Sequence, residues 1–232
     1  MVVATKGSTP PNPPAKAEER KSYESDQTTK DALSTVIWWY RPMGMTMLYI
    51  PHFIEIYVLL SFFLPNLSLS TLDNTIVNYA SPSSDAFSNL RITPTFLLGT
   101  LSIFTGAILR LTCYQYLGKQ FTFELSFRKN DKLITGGPYS IVRHPSYLGS
   151  VLVIDGMMIC QFSEGGWWRE YGVGATRGGV VWTVVVMAVV AVFELGLVRR
   201  TQKEDRMLRK EFRSQWEEWA RRTKYKMIPG IY

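Results

Sequence analysis

The chemically densest stretch of the chain is Gly136-Gly-Pro-Tyr-Ser-Ile-Val-Arg-His-Pro-Ser-Tyr-Leu-Gly149, which gathers glycines, prolines, two tyrosines and an Arg-His pair. Glycine lets a backbone approach a ligand closely, proline stiffens the segment, and Arg143 with His144 offers donors to an anion or to an adenine edge. The same residues also suit a plainer role, in which basic groups snorkel toward headgroups and the prolines open a helix. A second group lies downstream: Arg200 and Glu204 are four apart, hence on one helix face, with Arg199 and Asp205 alongside. Taken singly, such a pair also fits an ordinary solvated ion pair. With only His52 and His144 in the chain, no Ser/His/Asp or Cys/His arrangement for covalent catalysis is suggested. Cys113 and Cys160 fall in apolar runs and read as small hydrophobes, so neither a disulfide framework nor a metal site is expected.

These residues must be positioned by membrane helices. Of 232 residues, 46% are hydrophobic and 19% charged, and the two kinds are sorted into blocks. Four apolar runs can cross roughly 30 Å of hydrocarbon at about 1.5 Å per residue: about Met45–Leu64, Thr95–Tyr116, Tyr147–Phe162 and Gly179–Val198. A Trp-rich stretch, Leu33–Tyr40, precedes the first, and Arg41-Pro42 is expected to interrupt the chain there, leaving Trp38, Trp39 and Tyr40 as an interfacial anchor. The fourth run passes without Pro or Gly into RRTQKEDRMLRKEFRSQWEEWARR, where Met207, Leu208, Phe212, Trp216 and Trp219 keep helical spacing, so one long helix is expected to leave the membrane. The expected fold is all-α: a polytopic membrane helix bundle with about four transmembrane helices, an interfacial N-terminal helix and a long C-terminal helix extending into the cytosol.

Lys119, Arg128, Lys129, Lys132 and Arg143 lie between spans two and three, and many more basic residues follow span four, which by the positive-inside rule puts both termini and the Lys119–His144 loop in the cytosol. The net charge of +7 is crowded beside apolar segments, so anionic headgroups and not nucleic acid are the expected partner. Residues 1–34 read as a disordered cytosolic head, 35–118 as the interfacial segment with the first two spans, and 119–232 as the region that carries the chemistry. Glu55, Arg110, Asp155 and Glu194 fall in or near the hydrocarbon zone and should face the bundle, either as the floor of a substrate site or as a packing network in which Arg110 and Asp155 pair. His52 reads as a packed or interfacial histidine, and Gly165-Gly-Trp-Trp168 as a lumenal interface turn with an aromatic anchor.

The run GPYSIVRHPSYLG, followed by RRTQKEDRML and then by EFRSQWEEWARRTKYKMIPGIY, resembles the isoprenylcysteine carboxyl methyltransferases over about the last half of the chain, from FTFELSFRKNDKLITGGPY to Tyr232. The resemblance implies an enzyme of the endoplasmic reticulum membrane that transfers methyl from S-adenosylmethionine to the α-carboxylate of a prenylated C-terminal cysteine on CaaX-type proteins. It gives Tyr139, His144, Pro145, Tyr147, Gly149 and Glu204 cofactor roles and places Arg143 and Arg200 near the substrate carboxylate. The family often has Glu-Glu where this chain has Glu204-Asp205, and a shorter side chain makes Asp205 the less secure of the two. The Arg-His-Pro-x-Tyr-x-Gly pattern also recurs in phospholipid N-methyltransferases and in NADPH-dependent sterol reductases; the ending Lys224-Tyr-Lys-Met-Ile-Pro-Gly-Ile-Tyr232 favours the carboxyl methyltransferases.

Methylating a carboxylate needs few residues. An α-carboxyl with a pKa of about 3.3 to 3.7 is already ionised, so no general base is required. The protein must hold the carboxylate in line and keep water out, which an arginine fork can do, Arg200 being the first candidate and Arg143 the second. Glu204 then serves the cofactor through ribose hydroxyls or the ammonium group.

Overall fold

The computed structural model describes residues 12, 32–64, 74–76, 86, 88–121 and 131–232, and among them the regular elements are helices. Helix α1 spans Ala32–Phe63, α2 Pro94–Leu117, α3 Pro145–Phe162, the single turn α4 Trp167–Glu170, α5 Arg177–Phe212 and α6 Ser214–Arg222. Among the described residues, three helical stretches are long and apolar enough to cross a membrane, Pro94–Gln120, Pro145–Glu170 and Arg177–Phe212. They match the second, third and fourth expected spans. The apolar part of α1, Thr46–Ser61, is shorter and covers only about 24 Å at 1.5 Å per residue.

Two expectations about continuity change. The helix at the N-terminal side does not stop at Arg41-Pro42; α1 runs through both, since one missing N–H is tolerated where the rest of the ladder is intact. The side chains of Trp38, Trp39 and Tyr40, and with them the expected anchor, lie outside the described residues, as do Arg128 and Lys129. Conversely, the long C-terminal helix is two helices. Arg213, at φ 45°, takes a left-handed backbone that ends α5 and starts α6 in a new direction. The turn lets Trp219 bury itself instead of continuing along the axis of α5. At about 1.5 Å per residue, the 36 residues of α5 span about 54 Å, more than a bilayer needs, so the part after Val198 lies beyond the hydrocarbon.

The chain clusters into two compact units interleaved in sequence. One comprises Met1–Tyr40, Ile103–Val153 and Phe193–Tyr232, the other Arg41–Ser102 and Ile154–Val192. In the second unit Trp167, Trp168 and Val173 are buried and packed by Ile54, Leu90, Phe162 and Trp182. Trp167 and Trp168 are thus core residues and not an interfacial anchor: at 5% and 7% exposure neither ring reaches the surface. Glu55 takes part in the same unit, its carboxylate accepting from the main-chain N–H of Trp167 at 3.4 Å.

The first unit is built around Cys113, Tyr139 and Trp219, with Leu109, Leu117, Leu208 and Trp216 against them. Helices α2 and α3 meet at two glycines: a Cβ on Gly149 would lie 2.8 Å from the carbonyl oxygen of Gly106 and 2.7 Å from Cγ of Arg110. Small residues let helix backbones approach this closely in apolar surroundings. Arg110, buried here, donates to the carbonyl of Ser146 at 2.9 Å, to the hydroxyl of Ser150 and to that of Tyr114 at 2.6 Å. These hydroxyl and carbonyl acceptors hold the buried guanidinium.

Candidate active site

Residues 141–144 form an irregular segment that leads into α3, with Pro145 as its first helical residue, where a missing N–H costs nothing. The main-chain N–H groups of Arg143 and His144 are held by the carbonyls of Tyr225 and Lys226, at 2.9 and 2.7 Å. From the other side, α5 presents Arg200, Thr201, Glu204 and Asp205 on adjoining turns of one face. All these residues belong to the first unit.

Arg143 forks onto Asp205, with Nε 3.3 Å from Oδ1 and Nη2 3.0 Å from Oδ2. Its Nη1 donates to the carbonyls of Thr223 at 2.7 Å and Lys224 at 2.9 Å. Four of its five N–H donors are therefore committed within the protein. His144, 4% exposed, sits between two carboxylates: Nε2 is 3.0 Å from Asp205 Oδ1 and Nδ1 is 3.4 Å from Glu204 Oε2. Burial opposes its charge, but the hydrogen bonds and negative charges of Asp205 and Glu204 outweigh burial and push its pKa up to about 9. His144 is consequently an imidazolium at neutral pH, donating from both ring nitrogens.

Tyr147 connects the remaining groups. Its hydroxyl donates to Glu204 Oε2 at 2.7 Å and accepts from Nε of Arg200 at 2.9 Å, and its ring lies parallel to that of His144, 5.6 Å away. Burial raises the pKa of Glu204 and Asp205, yet hydrogen bonding and charge from His144, with Tyr147 and Arg200 for Glu204 and Arg143 for Asp205, hold both below the usual carboxylate range. The Asp205 side chain is 11% exposed and that of Glu204 29%. One carboxylate is enclosed while its neighbour opens outward.

Arg143, His144, Tyr147, Arg200 and Glu204 thus converge, with Pro145 buried at the start of α3. Tyr139 borders them: its ring packs against Cys113 and Trp219, its hydroxyl bonds to Cys113 and lies within electrostatic reach of Glu204 and Tyr147, and its carbonyl accepts from Nε1 of Trp219 at 3.0 Å. Gly149 faces α2, so its lack of a side chain answers helix packing. Gly137 likewise answers a neighbour: at φ 59° a Cβ there would lie 2.3 Å from the ring of Tyr116. Two groups stand out in the structure more than in the sequence. Asp205 is the hub for both Arg143 and His144, and the tail after Arg222 supplies their main-chain and carbonyl contacts; the tail carries no periodicity that would announce this.

Helices long and apolar enough to cross a membrane thus adjoin a buried Arg-His-carboxylate cluster. A family model described as Phospholipid methyltransferase matches residues 94–169, which includes α2, the Arg143-His144 segment and α3. Among curated proteins, the chain is 32% identical over 126 residues to the cobalt-zinc-cadmium resistance protein CzcN of Cupriavidus metallidurans, covering 54% of this chain and 45% of that one. It is 39% identical over 66 residues to Protein-S-isoprenylcysteine O-methyltransferase B of Arabidopsis thaliana, covering 27% and 34%, and 28% identical over 131 residues to Delta(14)-sterol reductase of Neurospora crassa, covering 49% and 26%. The chain spans less than half the length of each of these relatives. These matches liken the middle third of the chain to the phospholipid methyltransferases and a shorter stretch to an isoprenylcysteine O-methyltransferase.

Proposed function

We propose that this chain methylates the α-carboxylate of prenylated C-terminal cysteines on CaaX-type proteins, using S-adenosylmethionine, at the cytosolic face of the endoplasmic reticulum membrane. The observation that carries the reading is the geometry of the cluster, in which Arg143, His144 and Arg200 gather about Glu204, Asp205 and the Tyr147 hydroxyl, and the charges that this geometry favours. His144 is charged and held at both nitrogens, the Tyr147 hydroxyl donates to Glu204, and Glu204 and Asp205 are kept ionised by their cationic neighbours. None of these groups is poised to accept a proton at neutral pH. An amine nucleophile would have to surrender one, whereas a carboxylate arrives already ionised.

The donor set also fits the cofactor. The contacts of Glu204 with Tyr147 and His144 are both made by Oε2, and its side chain is partly open, so Oε1 can accept from ribose hydroxyls or an ammonium group. S-adenosylmethionine supplies an electrophilic methyl group on a sulfonium. Arg143, with its fork spent on Asp205, acts as the anchor of that carboxylate. Holding the substrate carboxylate falls to Arg200, which Tyr147 fixes beside Glu204. With His144 charged, the three cations Arg143, His144 and Arg200 exceed the two carboxylates by one positive charge, which favours an anionic substrate. The prenyl chain brings that substrate to the membrane, since each buried methylene contributes about 0.8 kcal/mol.

The test is methyl transfer from labelled S-adenosylmethionine to a farnesylated cysteine analogue and, in parallel, to phosphatidylethanolamine. The label should appear on the cysteine analogue in a base-labile ester. Phospholipid N-methylation is the second reading, favoured by the family model that matches residues 94–169; label on phosphatidylethanolamine alone would establish it and overturn the first. Binding of NADPH in place of S-adenosylhomocysteine would turn the assignment toward the reductases.

A further inference from the structure

The last ten residues, Thr223–Tyr232, contain no helix, yet four successive carbonyls of this tail contact the site. Thr223 and Lys224 give their carbonyls to the Arg143 side chain, and Tyr225 and Lys226 give theirs to the main-chain N–H groups of Arg143 and His144. An irregular strand of this kind needs something to hold it. Three successive N–H groups, those of Lys226, Met227 and Ile228, converge on the main-chain oxygen of Tyr232 at 2.9, 2.8 and 2.9 Å. The Tyr232 hydroxyl accepts from Nζ of Lys226 at 3.2 Å and lies 3.3 Å from Oγ1 of Thr201. Because Thr201 commits its only hydroxyl proton to the carbonyl of Val198 at 2.7 Å, Tyr232 is the donor in that pair. Thr201 is fully buried, next to Arg200 and one turn before Glu204 and Asp205.

We infer that Tyr232 is a positioning residue: by fastening the 223–232 tail to Thr201 and to the N–H groups of residues 226–228, it holds the tail along the Arg143-His144 segment and sets both side chains against Asp205 and Glu204. The inference deepens the methyl-transfer reading, because the side chains it positions are those assigned there, but the clasp itself needs no cofactor. Loosening it removes two acceptors from Arg143 and one each from the main-chain N–H groups of Arg143 and His144. The side chains then lose orientation while the helices that bury the core remain.

The experiment follows His144 by NMR in full-length protein carrying labelled histidine, in lipid nanodiscs, with thermal melting measured on the same samples. The chain has two histidines, and the His144 signal is assigned by its loss in His144→Gln. The wild-type signal should titrate near pH 9. Tyr232→Phe, which keeps the ring and the main-chain clasp but deletes the hydroxyl contacts to Thr201 and Lys226, should lower that midpoint by about one pH unit, equivalent to a tenfold change in the proton equilibrium, and Thr201→Val, which leaves Tyr232 intact, should lower it in the same direction. Both should melt within a few degrees of wild type. A midpoint unchanged in both variants overturns the inference, as does a fall that comes only with a matching loss of melting temperature in both, since the tail would then serve stability and not orientation. S-adenosylhomocysteine binding to the wild type, measured alongside, separates the two levels: no binding with a shifted midpoint sinks the cofactor reading and supports the clasp.

Discussion

Glu204 and Asp205 are adjacent carboxylates of one helix, and neutralising them should produce opposite phenotypes. In Glu204→Gln the Tyr147 hydroxyl retains an oxygen acceptor and His144 retains Asp205, and the site is partly open to water, so stability should fall by less than about 1 kcal/mol. The charge that would grip a cofactor hydroxyl or ammonium is lost. A hydrogen bond to a charged group contributes about 1.5–3 kcal/mol, which at 1.4 kcal/mol per tenfold is about a 10- to 150-fold weaker Kd for S-adenosylhomocysteine. In Asp205→Asn the enclosed partner of two cations is removed, leaving Arg143 and His144 with a charge uncompensated in a buried site. Breaking such a pair costs about 3–5 kcal/mol, which for a chain of this size lowers the melting temperature by about 6–20 °C. Isothermal titration and thermal melting in nanodiscs read both effects. The reasoning fails if Asp205→Asn melts like wild type, or if Glu204→Gln binds within twofold of it.

Three further outcomes follow from the same geometry. Because the folded-state pKa of His144 is raised above its ordinary 6.5 to about 9, its contribution is complete below about pH 6.5 and is lost as pH rises through 9; at 1.36 kcal/mol per unit this is at most about 3 kcal/mol, read as a fall in melting temperature between pH 6.5 and 10 that Asp205→Asn flattens. Arg200→Lys keeps the positive charge but loses the Nε donor to Tyr147, so methyl transfer should drop about 100-fold while S-adenosylhomocysteine binding changes less than threefold; equal losses in both would remove Arg200 from the substrate side. Gly149→Ala places a Cβ against Gly106 and Arg110 and should destabilise the protein by about 1–3 kcal/mol with little change in cofactor affinity, and a selective loss of affinity would return Gly149 to the binding site.

Much of the fold was legible because a bilayer leaves few choices. Apolar runs near 20 residues announced α2, α3 and the first part of α5, and their bounds follow from backbone groups that must bond within the segment. Features decided by tertiary contacts were not legible. Nothing local marks Arg213 as the end of α5, since the residues on both sides keep a helical period; the break exists because Trp219 finds a buried partner in Tyr139. Trp167 and Trp168 look the same in sequence whether they meet headgroups or, as here, a core formed by Ile54, Phe162 and Trp182.

The site divides along the same line. Arg143 and His144 were picked out by residue type, Arg200 and Glu204 by helical spacing, and Tyr147 by the family resemblance, and they come together because α5 carries its functional face beyond the hydrocarbon while Pro145 starts α3 beside it. Spacing alone cannot rank two neighbouring carboxylates, and the shorter side chain proves to be the more deeply connected: Asp205 reaches both Arg143 and His144, whereas the longer Glu204 reaches His144 and Tyr147 and is the more exposed. A glutamate at position 205 would have to fold its extra methylene into an enclosed space, so Asp205→Glu should disturb the Arg143 fork although it keeps the charge. Its melting temperature should fall between those of wild type and Asp205→Asn. A melting temperature equal to wild type would show that this pocket selects only charge and not length.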